Sequence, residues 1–252
     1  MRILFTGGGS LAQEYTRVNS CVEVHSFRNM SDGEIVDVIR DAEVIVHNSA
    51  WIHGDDLANL LASNVGLTKR IVDIIKDTDS NVRFINIGSM SYLHRNGYLS
   101  VNKMTPYAYS KFLAEIYCLM VLKNIISVRF SSLFYKDPTR DILSKLIYSA
   151  KNDKKIILYN SGQAKRDYVP INIACQYLDY VIRGDMTGVI DICSGIETRF
   201  LEVGNILSKY LNIPITWEYM PTPTVLSKFT RVLPEIKFSL FSEIINYMQC
   251  VQ

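Results

Sequence analysis

Three observations predict an α/β protein built on a doubly wound parallel sheet. Short apolar runs alternate with longer segments of helical periodicity along most of the 252 residues, a pattern typical of parallel sheets. A glycine-rich turn directly follows the first apolar run. With 48% hydrophobic and 21% charged residues, the chain suits one large domain or one domain with an appendage. We expect a Rossmann-type sheet with a small C-terminal α/β lobe.

The first predicted strand covers residues 3–5, and a glycine turn follows it. Gly7, Gly9 and Ala12 fit the pattern Gly-x-Gly-x-x-Ala of a dinucleotide-binding turn. In that pattern the first glycine allows the tight turn and the second lets a pyrophosphate approach the backbone. The N–H groups that begin the next helix then face the phosphates. A glycine-rich turn without a ligand is the alternative interpretation.

The second predicted strand, residues 22–26, ends without the acidic residue that binds the adenosine ribose of NAD. Ser26 and Arg28 stand there instead, and a hydroxyl with a guanidinium suits the 2′-phosphate of NADP. We therefore expect NADP, with NAD as the other possible cofactor. An ordinary loop serine and a solvated arginine are the alternative.

The next elements continue the alternation. We predict helices over 32–39 and 57–75, strands over 43–47, 82–87 and 126–130, and a polar loop over 92–106. Gly9, Ser49, Ser89 and Ser131 each follow a predicted strand. Because ligands of such sheets bind beyond the carboxyl ends of the strands, these four residues are expected to line one crevice.

A further helix is predicted to begin at Pro106, since proline suits the first turn of a helix, and to continue through the apolar run 112–122. Tyr107 and Lys111 are four residues apart and share one helix face. An ammonium group beside a phenol favours the phenolate, so the pKa of Tyr107 would fall towards a range useful for proton transfer. Considered alone, the motif favours a surface Tyr-Lys pair on an amphipathic helix.

The later chain also alternates. We predict helices over 143–150, from 172 onwards and over 200–211, strands over 154–159, 189–192 and 215–219, and a turn at 160–162. Residues 1–135 are expected to form a dinucleotide-binding domain. Residues 136–252 are expected to form mainly a substrate-binding lobe, with 171–195 returning to the first sheet.

Composition and charge exclude several classes of function. With 27 Lys and Arg against 25 Asp and Glu, the chain has no electrostatic basis for binding nucleic acid or an acidic membrane. No apolar run is long enough for a membrane span or a signal peptide. The five cysteines form no Cys-x-x-Cys pair, so we expect reduced thiols and a cytoplasmic location. His47 and His53 are expected to serve local structure, with no metal bound.

Taken in order, these segments resemble the extended short-chain dehydrogenase/reductase family, which comprises NAD(P)-dependent nucleotide-sugar epimerases, dehydratases and ketoreductases. The resemblance covers nearly the whole chain. The matching segments are Thr-Gly-Gly at the first turn, Asn64-Val65, Ser89 ahead of Tyr107 and Lys111, Arg129 before a loop ending in Tyr135, Arg166-Asp167-Tyr168-Val169, and 188–195.

The resemblance implies three catalytic residues. Tyr107 would exchange a proton with a sugar carbonyl or hydroxyl, and Ser89 would hydrogen-bond the same oxygen. Lys111 would bind the nicotinamide ribose and lower the pKa of Tyr107. Hydride transfer creates an alkoxide-like oxygen that needs donors already directed at it, while the cofactor carries the hydride. Ser91 is a rival of Ser89, although the strand end favours Ser89.

The resemblance also implies substrate and cofactor contacts. Arg166 would bind the diphosphate of a nucleotide sugar, which suits a charged fork; an ion pair with Asp167 is the alternative. The other expected substrate contacts are Ser89, Met90, Ser131 and Ser132. The expected cofactor contacts are Gly7, Gly9, Ser10, Leu11, Ser26, Arg28, Asn48, Ser49, Ala50, Asn64, Tyr107, Lys111, Phe130 and Leu133. A homodimer is expected through the Tyr107 helix, with Phe112, Ile116 and Met120 as outward candidates; ordinary core residues are the alternative.

The chain departs from the family pattern at several positions, and these departures reduce the number of candidate reactions. The glycine turn is one residue shorter than usual, and Gln13 follows Ala12. Met90-Ser91 follows Ser89 where dehydratases carry an acidic pair, so dehydration is not expected. We expect an NADPH-dependent reductase of a nucleotide-linked 4-keto-6-deoxy sugar in polysaccharide synthesis. The alternatives are an NAD-dependent 4-epimerase and, from another class, a non-catalytic dinucleotide-sensing module.

Overall fold

The computed structural model describes residues 1–52, 54, 56–78, 80–93, 104–219 and 236–250. The strands are β1 (Ile3–Phe5), β2 (Val22–Val24), β3 (Val44–His47), β4 (Arg83–Ser89), β5 (Ile125–Phe130), β6 (Ser132–Phe134), β7 (Ile156–Tyr159), β8 (Lys165–Pro170), β9 (Gly188–Ile192), β10 (Glu197–Arg199) and β11 (Ile215–Glu218). The α-helices are α1 (Ser10–Val18), α2 (Asp32–Ile39), α3 (Leu57–Leu60), α4 (Leu67–Asp77), α5 (Pro106–Val121), α6 (Ile142–Tyr148), α7 (Ile171–Arg183), α8 (Phe200–Leu211) and α9 (Leu240–Cys250). His53 and most of the predicted polar loop over 92–106 lie outside the described residues.

The main sheet has six strands in the order β2-β1-β3-β4-β5-β9. Each pairing from β2 to β5 is parallel. The chain passes from β1 to β2 on one side and then to β3 on the other, so the strand order reverses beside β1. Ligands of doubly wound sheets bind at such a reversal, beyond the carboxyl ends of the strands. The predicted α/β fold with a Rossmann-type parallel sheet is confirmed.

Strands β1 and β3 of this sheet are buried along their whole length, because helices cover both faces of a doubly wound sheet. Leu4, Ile45 and Phe84 are fully buried and pack with α2, α4 and α5 in one cluster. Helix α2 has the predicted bounds, since Ser31 and Glu34 form a capping box at its start. Local signals in the sequence were therefore sufficient to place this helix.

The chain divides into two compact units. Among the described residues, the first unit comprises 1–93, 104–130 and 175–191, and the second comprises 131–174 and 192–250. In the second unit β8 pairs with β10 antiparallel and with β6 parallel, while β7 pairs with β11. Strands β6 and β10 and helix α9 were not predicted. The assignment of 1–135 to cofactor binding and 136–252 to substrate binding stays a prediction.

The helix predicted over 57–75 is interrupted. A π-helical turn, Leu61–Gly66, separates α3 from α4, and the buried Asn64 lies inside it. π-helical turns insert one extra residue into a helix and are frequent at functional sites. The helical periodicity of the sequence did not reveal this turn.

Helix α5 presents fewer apolar side chains to solvent than expected. Met120 is 79% exposed, whereas Phe112 and Ile116 are partly buried. The ring of Phe112 packs against Tyr92 with centroids 5.7 Å apart. Phe112 therefore belongs partly to the interior of the first unit, and the homodimer stays a prediction.

The burial of the cysteines and the length of the helices are two further features of the fold. Cys118, Cys175 and Cys193 are buried, whereas Cys21 and Cys250 are exposed. None of the helices in the described part of the chain is both long and apolar enough to cross a bilayer.

Candidate active site

The glycine turn after β1 is held against the end of β3. A Cβ atom on Gly7 would lie 2.5 Å from Ser49 Oγ, so only glycine fits this close approach. Ser49 Oγ donates a hydrogen bond to the carbonyl of Thr6 at 2.5 Å, and Asn48 Nδ2 donates to the carbonyl of Gly7 at 2.7 Å. Neither Gly7 nor Gly9 has a positive φ. Close packing on Ser49, and not a special backbone angle, therefore explains the first glycine.

The outer side of the turn is open. A Cβ atom on Gly8 or Gly9 would meet nothing closer than 3.9 Å. Gln13 Nε2 donates to the carbonyl of Gly8 at 2.9 Å, which braces the shortened turn. Helix α1 begins at Ser10, and the first N–H groups of a helix have no partner within it. These groups and the open backbone form an arrangement that can bind an anion.

The expected cofactor-selectivity residues lie on the surface after β2. Ser26 and Arg28 are exposed on either side of the buried Phe27. The nearest acidic residue, Glu23, accepts hydrogen bonds from Arg2 at 2.8 and 3.0 Å. The bond from Arg2, followed by one from a neighbouring histidine, lowers the pKa of Glu23 to about 2. Glu23 is therefore engaged within the sheet, and Ser26 and Arg28 remain the side chains at this strand end.

Arg70 of α4 holds the segment that carries Arg28. Arg70 Nη2 donates to the carbonyl of Met30 at 2.6 Å, and Arg70 Nε pairs with Asp32 at 2.6 Å. Among the residues that the structure describes, Arg28 itself makes one long contact, of 3.5 Å, to the carbonyl of Ser63. Its guanidinium is therefore available for another partner.

A buried hydrogen-bond chain begins at the end of β3. His47 is 1% exposed and contacts Thr6 Oγ1 through Nδ1 at 2.9 Å and Thr68 Oγ1 through Nε2 at 2.8 Å. Burial, followed by the positive charges of Lys111 and Arg28, lowers the pKa of His47 to about 3. His47 is therefore neutral, and its expected role in local structure agrees with these contacts.

The chain continues to the helix that carries Tyr107. Thr68 Oγ1 donates to the carbonyl of Asn64 at 2.6 Å, which assigns the proton of His47 to Nε2. Asn64 Nδ2 donates to Ser110 Oγ at 2.9 Å, and Ser110 Oγ donates to the carbonyl of Tyr107 at 2.9 Å. The π-helical turn is thus linked directly to the first turn of α5.

The amide of Asn64 is already engaged inside the unit. Its Nδ2 donates to the carbonyl of Trp51 at 3.0 Å as well as to Ser110, and its Oδ1 accepts from the N–H of Trp51 at 2.6 Å. An amide nitrogen carries two hydrogens, and both are used. Any hydrogen bond from this nitrogen to a cofactor would have to replace one of these bonds.

Helix α5 places Tyr107 and Lys111 in different environments. Thr105 Oγ1 accepts from the N–H of Ala108 at 3.2 Å, and Pro106 occupies the first turn. Tyr107 is partly buried, whereas Lys111 is 4% exposed. Within the described ranges the ammonium of Lys111 makes no hydrogen bond or ion pair. Burial lowers the pKa of Lys111 to about 8, against smaller opposing effects of Cys118 and Glu115. No carboxylate of the described residues lies within ion-pair distance of this ammonium.

Ser89 and Ser91 form one hydrogen-bonded unit at the end of β4. Ser89 Oγ donates to Ser91 Oγ at 2.8 Å and accepts from the N–H of Ser91 at 3.1 Å. Met90, which was expected to contact substrate, is 3% exposed. The two serines are therefore the polar side chains of this turn. Because they are hydrogen-bonded to each other, both Ser89 and Ser91 stay candidates.

A buried charged cluster behind Ser89 was not predicted. Glu115 of α5 is fully buried and forms an ion pair with Arg129 at 2.5 Å. It also accepts hydrogen bonds from Tyr92 Oη at 2.7 Å and from Ser127 Oγ at 2.6 Å. Glu115 lies four residues after Lys111 in an otherwise apolar run. That isolated charge was the signal that could have identified it.

In the second unit, Asp167 is held by several hydrogen bonds, whereas its neighbour Arg166, a substrate-binding candidate, forms no ion pair among the described residues. Asp167 is buried and accepts from the N–H groups of Ser194 at 2.8 Å and Gly195 at 2.7 Å, and from Ser131 Oγ at 3.1 Å. Arg166 is partly buried on β8 and has no ion pair in the part of the chain that the structure describes. The alternative of an Arg166-Asp167 ion pair is therefore not supported, and substrate binding by Arg166 stays a prediction.

The remaining predicted positions lie after a strand, within a strand or at the start of a helix. Ala50 follows β3, and Phe130 ends β5 with 5% exposure. Ser132 and Leu133 form part of β6 and are partly buried. Leu11 is buried in the first turn of α1, so it offers its backbone N–H. Across the described ranges no group of three His, Cys, Asp or Glu side chains could hold a metal ion.

Comparison with known proteins identifies relatives of the chain. A sequence model of the NAD dependent epimerase/dehydratase family matches residues 12–190. The Low-salt glycan biosynthesis protein Agl12 of Haloferax volcanii is 26% identical over 191 residues, which make up 69% of this chain and 61% of that protein. The chain therefore spans less than two thirds of the length of this relative.

Solved structures share the fold. The dTDP-glucose 4,6-dehydratase DesIV of Streptomyces venezuelae, solved with NAD, has a TM-score of 0.80 at 16% identity, over 99% of this chain and 96% of that chain. The UDP-glucose 4-epimerase of Thermotoga maritima, solved with UDP-glucose, has a TM-score of 0.74 at 13% identity, over 92% and 90% of the two chains. At these identities the likeness shows the fold alone. The family match covers most of the chain and confirms the resemblance drawn from the motifs: the protein belongs to the NAD dependent epimerase/dehydratase family.

Proposed function

We propose that the protein is an NADPH-dependent reductase of a nucleotide-diphosphate-linked 4-keto sugar. The observation that carries the proposal is Lys111, a buried ammonium without an anionic partner among the described residues, four residues after Tyr107 on α5. Burying an unpaired charge opposes folding, so such a residue is usually retained for function. The hydroxyls of a nicotinamide ribose are the polar groups that it would bind.

Features of the first unit fit a dinucleotide. The open backbone at Gly8 and Gly9 and the start of α1 would hold the pyrophosphate. Asn48 Oδ1 is buried without a hydrogen-bond partner among the described residues, so a ligand hydroxyl beside it would complete its bonding. When bound, the reduced nicotinamide supplies the hydride.

The remaining chemistry belongs to the chain. As the sugar carbonyl carbon gains the hydride, its oxygen gains negative charge and takes a proton from the Tyr107 hydroxyl, giving a secondary alcohol. Ser89 Oγ, in place of its bond to Ser91 Oγ, would donate a hydrogen bond to the same oxygen while that charge develops. The ammonium of Lys111 stabilises the Tyr107 phenolate that remains until solvent protonates it again.

Dehydration is disfavoured by the surroundings of Ser89. The turn Met90–Tyr92 contains no carboxylate, and Glu115, the carboxylate bonded to Tyr92, is held by Arg129 at 2.5 Å. An elimination needs a carboxylate that is free to accept a proton from carbon. Glu115 is too strongly paired for that role.

The first test is an assay with purified protein, NADPH or NADH, and a panel of nucleotide-linked 4-keto-6-deoxy sugars. We expect loss of reduced-nicotinamide absorbance that requires the sugar. Tyr107→Phe should lower kcat about 100-fold or more, because general acid catalysis typically contributes that much. Tyr109→Phe removes a hydroxyl from the same helix and should leave kcat within about twofold. Absence of oxidation with every sugar would refute the reductase.

The cofactor preference has its own test. Arg28→Ala should raise the KM for NADPH about 10- to 100-fold, because a hydrogen-bonded ion pair with the 2′-phosphate is lost. The KM for NADH should stay within about twofold, since NADH has no phosphate there. Arg40→Ala is the control, because Arg40 pairs with Asp37 on the surface at 2.7 Å. Equal effects of Arg28→Ala on both cofactors would contradict the preference for NADPH.

A redox-neutral 4-epimerase is the second candidate. It is supported by the family match, because the matching model describes NAD dependent epimerases as well as dehydratases. In that case purified protein should carry NAD and convert a nucleotide sugar to its 4-epimer without net change of cofactor. A protein that neither oxidises NADPH nor forms an epimer, yet binds dinucleotide, would be the non-catalytic sensing module.

A further inference from the structure

We propose that Glu115 and Tyr92 form a positioning clamp that fixes the Ser89 turn relative to helix α5. The catalytic consequence of this clamp rests on the proposed function, because it concerns the alignment of Ser89 with Tyr107. Its structural part concerns only the first unit. Neither Glu115 nor Tyr92 was expected to touch substrate or cofactor.

The contacts of Glu115 join three elements. Its carboxylate accepts from Tyr92 Oη after β4, from Ser127 Oγ on β5 and from Arg129 Nε and Nη2 on the same strand. Asn86 Nδ2 of β4 donates in turn to Ser127 Oγ at 2.9 Å. A carboxylate with donors on several sides has one low-energy position, so this part of α5 is tied to the sheet at that point.

Gly88 creates the space for this carboxylate. A Cβ atom at position 88 would lie 3.0 Å from Glu115 Oε2 and 3.0 Å from Ser127 Oγ. Any side chain there would push the carboxylate away from β4. The position immediately before Ser89 is therefore shaped to let α5 reach the strand.

The Ser89 turn is held at both of its ends. Ser89 pairs with Phe130 in the parallel register of β4 and β5, and the turn closes at Tyr92, whose ring is 1% exposed. Burial and then the charge of Glu115 raise the pKa of Tyr92, so its hydroxyl remains a donor to Glu115. Between these ends the N–H of Ser91 donates to Ser89 Oγ. Releasing Tyr92 would free the turn that orients the Ser89 hydroxyl.

Tyr92→Phe tests the clamp by removing one hydroxyl. Tyr15→Phe is a matched control, because the buried Tyr15 also donates to a carboxylate, that of Asp179, at the same distance of 2.7 Å. The first measurement is hydrogen–deuterium exchange of peptides covering residues 84–93. We expect exchange there to become about tenfold faster in Tyr92→Phe, as expected for loss of a hydrogen bond to a charged group, and to be unchanged in Tyr15→Phe.

The second measurement is kinetic. Tyr92→Phe should lower kcat about tenfold while the KM for the cofactor stays within about twofold, since misalignment of a catalytic group affects the transition state more than binding. Unchanged exchange of residues 84–93 in Tyr92→Phe, or equal exchange increases in both variants, would overturn the clamp. Failure of the proposed function can be distinguished from failure of the clamp. If the proposed function is wrong, the wild-type protein is inactive in the assay, but the exchange measurement still tests whether Tyr92 holds the Ser89 turn. Faster exchange in Tyr92→Phe with kcat unchanged would overturn the catalytic part.

Discussion

Lys111→Met is expected to give a protein that is more stable than the wild type and nearly inactive. Methionine has a similar length and leaves no charge in a position that is 4% exposed. Replacing an unpaired buried cation by an apolar side chain should raise the free energy of unfolding at pH 7 by about 1–3 kcal/mol. The melting temperature should rise by about 2–4 °C for each kcal/mol in a chain of this size.

The pH dependence of stability is a second test of whether the Lys111 charge destabilises the folded protein. Burial lowers the pKa of Lys111 to about 8 from its ordinary value of 10.5, so between these pH values the unfolded chain binds the proton more strongly. Below about pH 8 the buried charge of Lys111 lowers the free energy of unfolding of the wild type by about 3 kcal/mol. This free energy should rise as the pH increases from about 8 towards 10.5, because the folded protein loses the proton first. Lys111→Met should lack this slope.

Urea unfolding of both proteins at pH 7 and pH 9.5 measures these differences, with the protein free of added cofactor. The stability advantage of Lys111→Met should be large at pH 7 and smaller at pH 9.5. In the assay its kcat should fall about 1000-fold, because both ribose binding and the stabilisation of the Tyr107 phenolate are lost. A variant less stable than the wild type at pH 7 would show that Lys111 has an anionic partner. A variant with normal activity would remove Lys111 from the catalytic residues.

Glu115→Gln is expected to destabilise the protein by about 3–5 kcal/mol, because it leaves the guanidinium of Arg129 without its partner in the interior. The remaining carboxylate, Asp191, is 3.7 Å from Arg129 Nη1 and makes no hydrogen bond through Oδ1. A glutamine NH₂ group would also face the donors Tyr92 and Ser127. The melting temperature should fall by roughly 10 °C.

The matched control is Glu23→Gln. The ion pair between Arg2 and Glu23 has similar distances, 2.8 and 3.0 Å, but the two side chains are 32% and 43% exposed. Solvent screens such a pair, so its loss should change the free energy of unfolding by less than about 1 kcal/mol. Denaturant midpoints of the two variants and the wild type make the comparison. Similar midpoints for the two variants would contradict the structural role of Glu115.

Much of the fold followed from short stretches of sequence. The bounds of α2 and α8 were predicted correctly because their start and stop signals lie within the helices or directly beside them. The start of α5 followed from Pro106 in the same way. The glycine turn was located because it directly follows the first strand. The short strands β6 and β10 were missed, since Ser132–Phe134 and Glu197–Arg199 lack the continuous apolar run that identified β1.

The candidate site was predicted only in part, because some of its features depend on residues that are distant in the sequence. The pair Tyr107 and Lys111 could be identified because helical spacing alone places both on one face. That the lysine would be buried without an anion depends on residues far away in the sequence, as does the use of both Asn64 hydrogens by Trp51 and Ser110.

The sequence by itself therefore determined most of the order of strands and helices, the glycine turn and the spacing of the catalytic candidates, since these depend on neighbouring residues. Only the tertiary structure decided which polar side chains are buried and what they bind. Glu115 resembles a surface charge in the sequence, yet Gly88 leaves it room and Arg129 supplies its partner. The free energy of a buried polar group depends on its hydrogen-bond partners, and those partners come from elements that are brought together only when the chain folds.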